Sequence, residues 1–261
     1  MGVNDMSSPS MNENPTHVLG TASSNINFNP YIKFNDGALN QYIGKSNLTA
    51  FGKTGVSTFM VLRRNLNAIT SNDFETMLSY AVSGQPNEMV LTNPPNITVF
   101  IEESNINGGH NSSFDMTSAN SIPHLFTNRT GTNSNNEIRL DGTNSSANYG
   151  KSKVIDSKGT LIFGQEQDNL GGGFDTDQAY EGDVAEAIVF NSRVTDADRN
   201  QIETYLGIKY GITLDNNYVI QGNSVLWNKN NNSTYHNNIA CIAREDTFDL
   251  NQPESTSQNG A

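Results

Sequence analysis

The sequence predicts an all-β fold: a two-sheet β-sandwich of jelly-roll type with one helix near its C-terminal side. Three observations predict it. Short runs of β-branched and aromatic residues recur along the chain, and Gly, Asn, Asp and Pro punctuate them. Helical start and stop signals converge on one window near residue 200.

The strands follow in order. Thr58–Leu62 is apolar and β-branched. Met77–Val82, Met89–Leu91 and Ile97–Ile101 come next. Then come Ile122–Thr127, Glu137–Leu140, Thr160–Phe163 and Val184–Phe190. Strands at this density with no helices between them pack as two antiparallel sheets. Asp141-Gly142 after Ile138-Arg139-Leu140 is a hairpin turn signal. Ser104–Ser121 is rich in Asn and Ser and reads as a long loop.

The helix runs from Asp196 to Tyr210. Thr195 is its N-cap, and Asp198 occupies the capping-box position. Asp196 and Asp198 favour the positive end of the helix dipole. Ile202 and Leu206 give a packing face beside Tyr205, and Gly211 is the stop. Beyond it Tyr218–Ile220, Ser224–Trp227 and Ile239–Ala243 look like further strands. The expected organisation is a disordered linker over 1–16, a jelly-roll domain over 17–215, a small β extension over 216–250 and a polar tail over 251–261.

Composition narrows the function. The chain has 261 residues, of which only 16% are charged, and a net charge of −12. That acidity argues against nucleic acid, whose phosphates need a basic surface, and suits cations. No apolar run is long enough to span a membrane. The one cysteine, Cys241, allows no internal disulfide. The first sixteen residues are polar and carry no signal-peptide pattern. The histidines at 17, 110, 124 and 236 lack metal-ligand spacing.

The densest chemistry lies in Gln165–Gln178. Four carboxylates and four amides share fourteen residues with a run of glycines. Calcium takes six to eight hard oxygen ligands, and a flexible acidic loop supplies them. A solvated acidic hairpin would have the same composition, but ligand identity, spacing and glycines together favour calcium.

Phe163–Gln178, followed by Gly182–Asn191, resembles the calcium loop and following strand of the pentraxins, within the wider laminin-G-like, concanavalin A-like jelly rolls. Leu78–Glu88 resembles the hairpin that supplies the remaining ligands. The resemblance implies that Glu166 and Asp168 bridge two calcium ions. Gln167 would add its backbone carbonyl, Asp175 and Gln178 would complete the second ion, and Asn87 would serve the first. Pro86 stands where the family has Asp, which leaves one ion or two. Met60 and Phe126 stand at the positions of the family's disulfide, as an apolar pair. Thr92 replaces the apolar wall that flanks phosphocholine, so that ligand is not expected. The order of helix, Ile212–Asp215, Val225–Asn228 and His236–Ile239 looks like secreted surface adhesins of Bacteroidota type.

These features point to a non-catalytic, calcium-dependent module, secreted or at the cell surface, that binds a carbohydrate or other cell-surface ligand. Two alternatives belong to other classes. Glu137 and Asp141 could be the carboxylate pair of a glycoside hydrolase, although the run Glu-x-Asp-x-x-Glu is missing. Calcium could also merely stiffen a structural spacer. Trp227 could stack on a sugar but reads first as a core residue. Neither the ligand nor the oligomeric state is legible.

Overall fold

The computed structural model describes residues 6–8, 14–20, 25–35, 41–48, 55–64, 75–82, 88–93, 96–101, 112–115, 121–131, 134–144, 149–151, 159–175, 178–246 and 250–259. In chain order the strands begin β1 (Thr16–Val18), β2 (Tyr31–Phe34), β3 (Ile43–Leu48), β4 (Ser57–Arg64), β5 (Glu75–Val82) and β6 (Glu88–Asn93). They continue β7 (Asn96–Ile101), β8 (Ser112–Asp115), β9 (His124–Gly131), β10 (Ser134–Leu140), β11 (Thr143–Asn144) and β12 (Tyr149–Lys151). The last are β13 (Gly159–Phe163), β14 (Gly182–Phe190), β15 (Tyr218–Ile220), β16 (Ser224–Trp227), β17 (Ala243–Glu245) and β18 (Leu250–Gln252). The helix α1 covers Asp196–Tyr210.

Two antiparallel sheets form the sandwich. The larger runs β1-β2-β14-β4-β9-β10-β11, with β12 also on β10, and the smaller runs β3-β13-β5-β6-β7-β8. Side chains alternate across a strand, and β4 uses both faces. Met60 and Leu62 point into the core between the sheets, with Phe126, Leu161 and Phe163. Phe59 and Val61 point to a second core, with Leu125 of β9 and Leu206, Ile212, Leu214 and Tyr218 beyond it. Burial on both faces is why Phe59-Met60-Val61-Leu62 reads as an unbroken apolar run. Met60 and Phe126 are cross-strand partners and fully buried, the apolar pair anticipated at those positions.

The second core lies under α1 and the segment after it. Thr195 caps the helix by accepting from the Asp198 N–H at 3.1 Å. Gly211 adopts φ +65°, and the Ile212 N–H returns to the Gly207 carbonyl at 2.9 Å, closing the C-terminus in a Schellman pattern. The Tyr218 hydroxyl then donates to the Ile212 carbonyl and accepts from the Leu214 N–H, turning the chain back onto the helix. Asp141 and Gly142 both have positive φ, as the tight β10–β11 turn requires.

Several expectations need correction. Residues 6–8 do not belong to a disordered linker. Ser7 and Gly44 exchange backbone hydrogen bonds, and Met6 packs against the inner core. The tail is polar but anchored: Gln252 is buried, the Thr256 N–H donates to Asn27 Oδ1, and Asn259 donates to Asp141. Ile239–Ala243 is not a strand. The backbone of Ile239 and Cys241 donates to the hydroxyls of Thr213 and Ser255 instead of to a neighbouring strand, and pairing starts only at Ala243. Within the expected long loop, Ser112–Asp115 pairs with β7 as a strand.

Candidate metal centre

The acidic loop leaves the end of β13 and rejoins the sheets at β14. Its neck is fixed at Gly164, whose N–H donates to the Met77 carbonyl and whose carbonyl accepts from the Tyr180 N–H, both at 3.0 Å. Gly164 has φ +95°, and a Cβ there would sit 2.4 Å from the Phe34 ring, so only glycine fits.

Beyond the neck, amides alternate with carboxylates, and the amides anchor. The Ser79 hydroxyl donates to the Gln165 carbonyl at 2.8 Å. The buried Gln167 Nε2 donates to Ser79 Oγ at 2.9 Å and to the Thr160 carbonyl at 3.1 Å. Gln167 Oε1 accepts the Gly171 N–H at 2.9 Å, holding the turn in which Asn169 and Gly172 exchange backbone hydrogen bonds. Gln167 thus clamps the loop onto β5 and β13 through its side chain.

The carboxylates converge on the other side of this clamp. One oxygen each from Glu166, Asp168 and Asp175 lies within 4.8 Å of the others. Glu166 is buried and its Oε1 accepts the Asp175 N–H at 2.6 Å, while Asp168 and Asp175 are exposed. Among the described residues no lysine or arginine is ion-paired to Asp168 or Asp175. Gln178 reaches Asp175 through both its backbone N–H and its side-chain amide. Asn87 and Pro86 lie outside the described residues.

The donor set fits calcium. Calcium–oxygen distances of about 2.3–2.6 Å place two ligands of one ion no more than about 5 Å apart, and the three carboxylates meet that limit. They are hard oxygens, and among the described residues no lysine or arginine pairs with Asp168 or Asp175. Ser79, the Gln165 carbonyl that it holds and the side chain of Gln167 are the parts that sequence reasoning missed. The Gln-Glu-Gln-Asp alternation was the available signal, since period two separates an anchoring side from a ligating side.

Beside the loop lies a cleft of about 370 Å³, lined among others by Tyr42, Ser46, Thr160, Ile162 and Leu170. The Tyr42 and Phe174 rings pack with centroids 4.9 Å apart, tying this wall to the loop.

The alternative carboxylates, Glu137 and Asp141, have other employment. Glu137 pairs with Arg129 and Arg199. Burial pushes its carboxyl upward, but the Arg129 hydrogen bond and the charges of Arg129, Arg199 and Arg139 outweigh that and hold it below the usual range. A glycosidase acid needs the opposite shift. Asp141 sits in the turn, where it accepts the Leu125 N–H and pairs with His124. Trp227 is partly buried against the second core and donates to His236.

Human neuronal pentraxin-1 is 31% identical over 164 residues, covering 58% of this chain and 33% of that protein. The human neuronal pentraxin receptor is 30% identical over 132 residues, covering 47% of this chain and 24% of that protein. The chain thus spans about a third or less of the curated relatives it matches. The native heptameric SAP-like pentraxin of Limulus polyphemus superposes with a TM-score of 0.51 at 16% identity, covering 67% of this chain and 82% of that one. The fold is a pentraxin-type jelly roll. The binding domain of botulinum neurotoxin DC, in complex with rat synaptotagmin II, shares it at a TM-score of 0.53 and 11% identity, over 78% of this chain and 48% of that one. Residues 198–261, the helix and the segment that covers the outer core, match a family described as a domain of unknown function (DUF8202).

Proposed function

We propose that this chain is a calcium-dependent, non-catalytic ligand-binding module of a secreted bacterial surface adhesin. Its partner is a glycan or another cell-surface molecule. The carrying observation is the convergence of the Glu166, Asp168 and Asp175 oxygens on the Gln167-clamped loop. In this reading Glu166, Asp168 and Asp175 hold the ion, with Gln178 and the Gln167 carbonyl completing one side. Asn87 serves a second ion where one is present. Calcium, when bound, offsets the loop's negative charge and fixes its shape. The chain's own residues then present the adjacent cleft, with Tyr42 and Leu170 offering apolar surface and Ser46 and Thr160 offering hydroxyls.

The fold supports a binding role by analogy. The report on botulinum neurotoxin type C, whose fold this chain shares at a TM-score of 0.52, describes cell entry that depends on interaction with two ganglioside molecules. The bacterial adhesin context rests on the resemblance of the segments after α1. Among the described residues no helix is long and apolar enough to cross a membrane.

Melting in calcium and in chelator tests the metal. Extracellular calcium modules bind at about 10⁻⁴–10⁻³ M, and a hundredfold excess over the dissociation constant stabilises by about 2.7 kcal/mol. Calcium raises the melting temperature, and Asp168→Ala abolishes the rise. Identical melting in calcium and chelator refutes the site. A glycan array run in both conditions tests the partner, and a calcium response without any calcium-dependent glycan leaves the spacer reading.

A further inference from the structure

On another part of the molecule, a cleft of about 450 Å³ opens where the β10–β11 hairpin, the first half of α1 and the segment after Leu214 meet. Arg139 and Arg199 line it, with Thr143, Asn144, Asn200 and Asn217. Asn216 also lines it but faces the other way, its NH2 donating to Glu203 and its Oδ1 left as a buried acceptor among the described residues.

The orientation of the other three asparagines follows from their hydrogen bonds. Asn144 Oδ1 accepts from Arg139 Nη1 at 2.6 Å. Asn200 Oδ1 accepts from Arg199 Nε and Nη2 at 3.2 and 2.9 Å. Asn217 Oδ1 accepts the Lys229 N–H at 2.9 Å. Each carbonyl oxygen is occupied, so each side chain has its NH2 group to spare, and among the described residues none of the three donates it. An amide has two donors and one acceptor oxygen, and here the acceptor side alone is satisfied.

Both arginines of the cleft belong to a guanidinium–carboxylate network: Arg139 pairs with Glu203 at 2.9 Å and Arg199 pairs with Glu137, which also meets Arg129 and Arg193. Burial and the neighbouring Arg139 lower the pKa of Arg199. The one carboxylate on the rim, Asp215, is paired with Lys229. Two guanidiniums and three spare amide NH2 groups thus meet in one cleft of a chain whose net charge is −12.

We propose that this cleft is an oxyanion site, taking a sulfate or phosphate group either as the free ion or as an ester on a saccharide. Arg139 and Arg199 supply the charge, and the NH2 groups of Asn144, Asn200 and Asn217 with the Thr143 hydroxyl supply directional donors. The site is separate from the acidic loop and does not depend on the calcium reading.

The test is thermal and calorimetric titration of the full chain with sodium sulfate, sodium phosphate and galactose 6-sulfate, against sodium chloride at matched ionic strength. Sulfate stabilises many proteins by exclusion alone, so the deciding quantity is the difference between the wild type and two isosteric variants. Asn200→Asp and Asn217→Asp keep the inward acceptor and replace the outward NH2 with an anionic oxygen. Each is expected to weaken oxyanion binding by about tenfold or more, the ratio that roughly 1.4 kcal/mol gives. Tighter binding of galactose 6-sulfate than of sulfate assigns the site to a sugar ester, and equal binding to the free ion. Absence of saturable binding by all three probes overturns the proposal, as does equal binding by wild type and both variants. Asp168→Ala retains the oxyanion response, so its failure and the failure of the calcium site are separate results.

Discussion

Replacing Gln167 with leucine keeps the volume of a buried side chain and removes the clamp of the acidic loop. The two N–H groups of this amide serve Ser79 Oγ at 2.9 Å, the Thr160 carbonyl at 3.1 Å and the Ser79 carbonyl at 3.3 Å. Its oxygen holds the Gly171 N–H, which lies in an exposed turn and can turn to water. The loss is therefore two buried hydrogen bonds, about 1–1.5 kcal/mol each or about 2–3 kcal/mol together. For a chain of this size 1 kcal/mol corresponds to about 2–4 °C, so melting falls by roughly 4–12 °C. The assay is a thermal melt in chelator, repeated across a calcium titration. Calcium affinity also falls, because Glu166 and Asp168 flank the lost anchor and their backbone is no longer fixed. A variant that melts with the wild type and responds equally to calcium refutes the clamp.

Two further predictions concern the framework. Glu137 is held below its usual pKa of 4.5 by its arginines. A depressed carboxyl contributes stability above the unfolded pKa and loses it as pH falls through the folded one. Glu137→Gln therefore costs stability at neutral pH, and its acid melting curve is flatter than the wild type's below about pH 4.5. Urea melts from pH 7 to 3 check this, and parallel curves refute it. Gly211→Ala places a Cβ 2.1 Å from the Thr256 carbonyl at φ +65°. It is expected to destabilise by at least about 1–2 kcal/mol, read as a lower urea midpoint, and an unchanged midpoint counts against the packing of the C-terminal segment.

The helix was readable residue by residue because its signals are local: Thr195, Asp196, Asp198 and Gly211 all act within one turn of its ends. The central strands were readable because β4 and β14 are apolar over several consecutive positions. Tyr31–Phe34 and Ile43–Leu48 were not, because Lys33 and the polar run Lys45-Ser46-Asn47 break the apolar pattern. In β3 that run coincides with a register irregularity against β13 and a positive φ at Asn47. The carboxylates of the candidate site were legible as a contiguous pattern. Their support was not, since Ser79 lies 86 residues from Gln165 and 88 from Gln167 in sequence. Glu137 looked free for chemistry for the same reason: its partner Arg199 is 62 residues away.

The anchoring of the C-terminal segment at Asn27 has a mechanical side. Asn27 donates to the Lys209 carbonyl and Ser255 Oγ and accepts the Thr256 N–H, so an early and a late part of the chain meet at one side chain. Tension applied across these two parts runs first through that clasp rather than along the strand ladders. A clasp of side-chain bonds yields at lower load than a ladder sheared along its length. The segment it holds packs in the outer core with Phe59, Val61 and Leu125, on the face of the larger sheet opposite the inner core. The acidic loop is clamped to β5 and β13 of the smaller sheet, so the clasp and the loop belong to different layers.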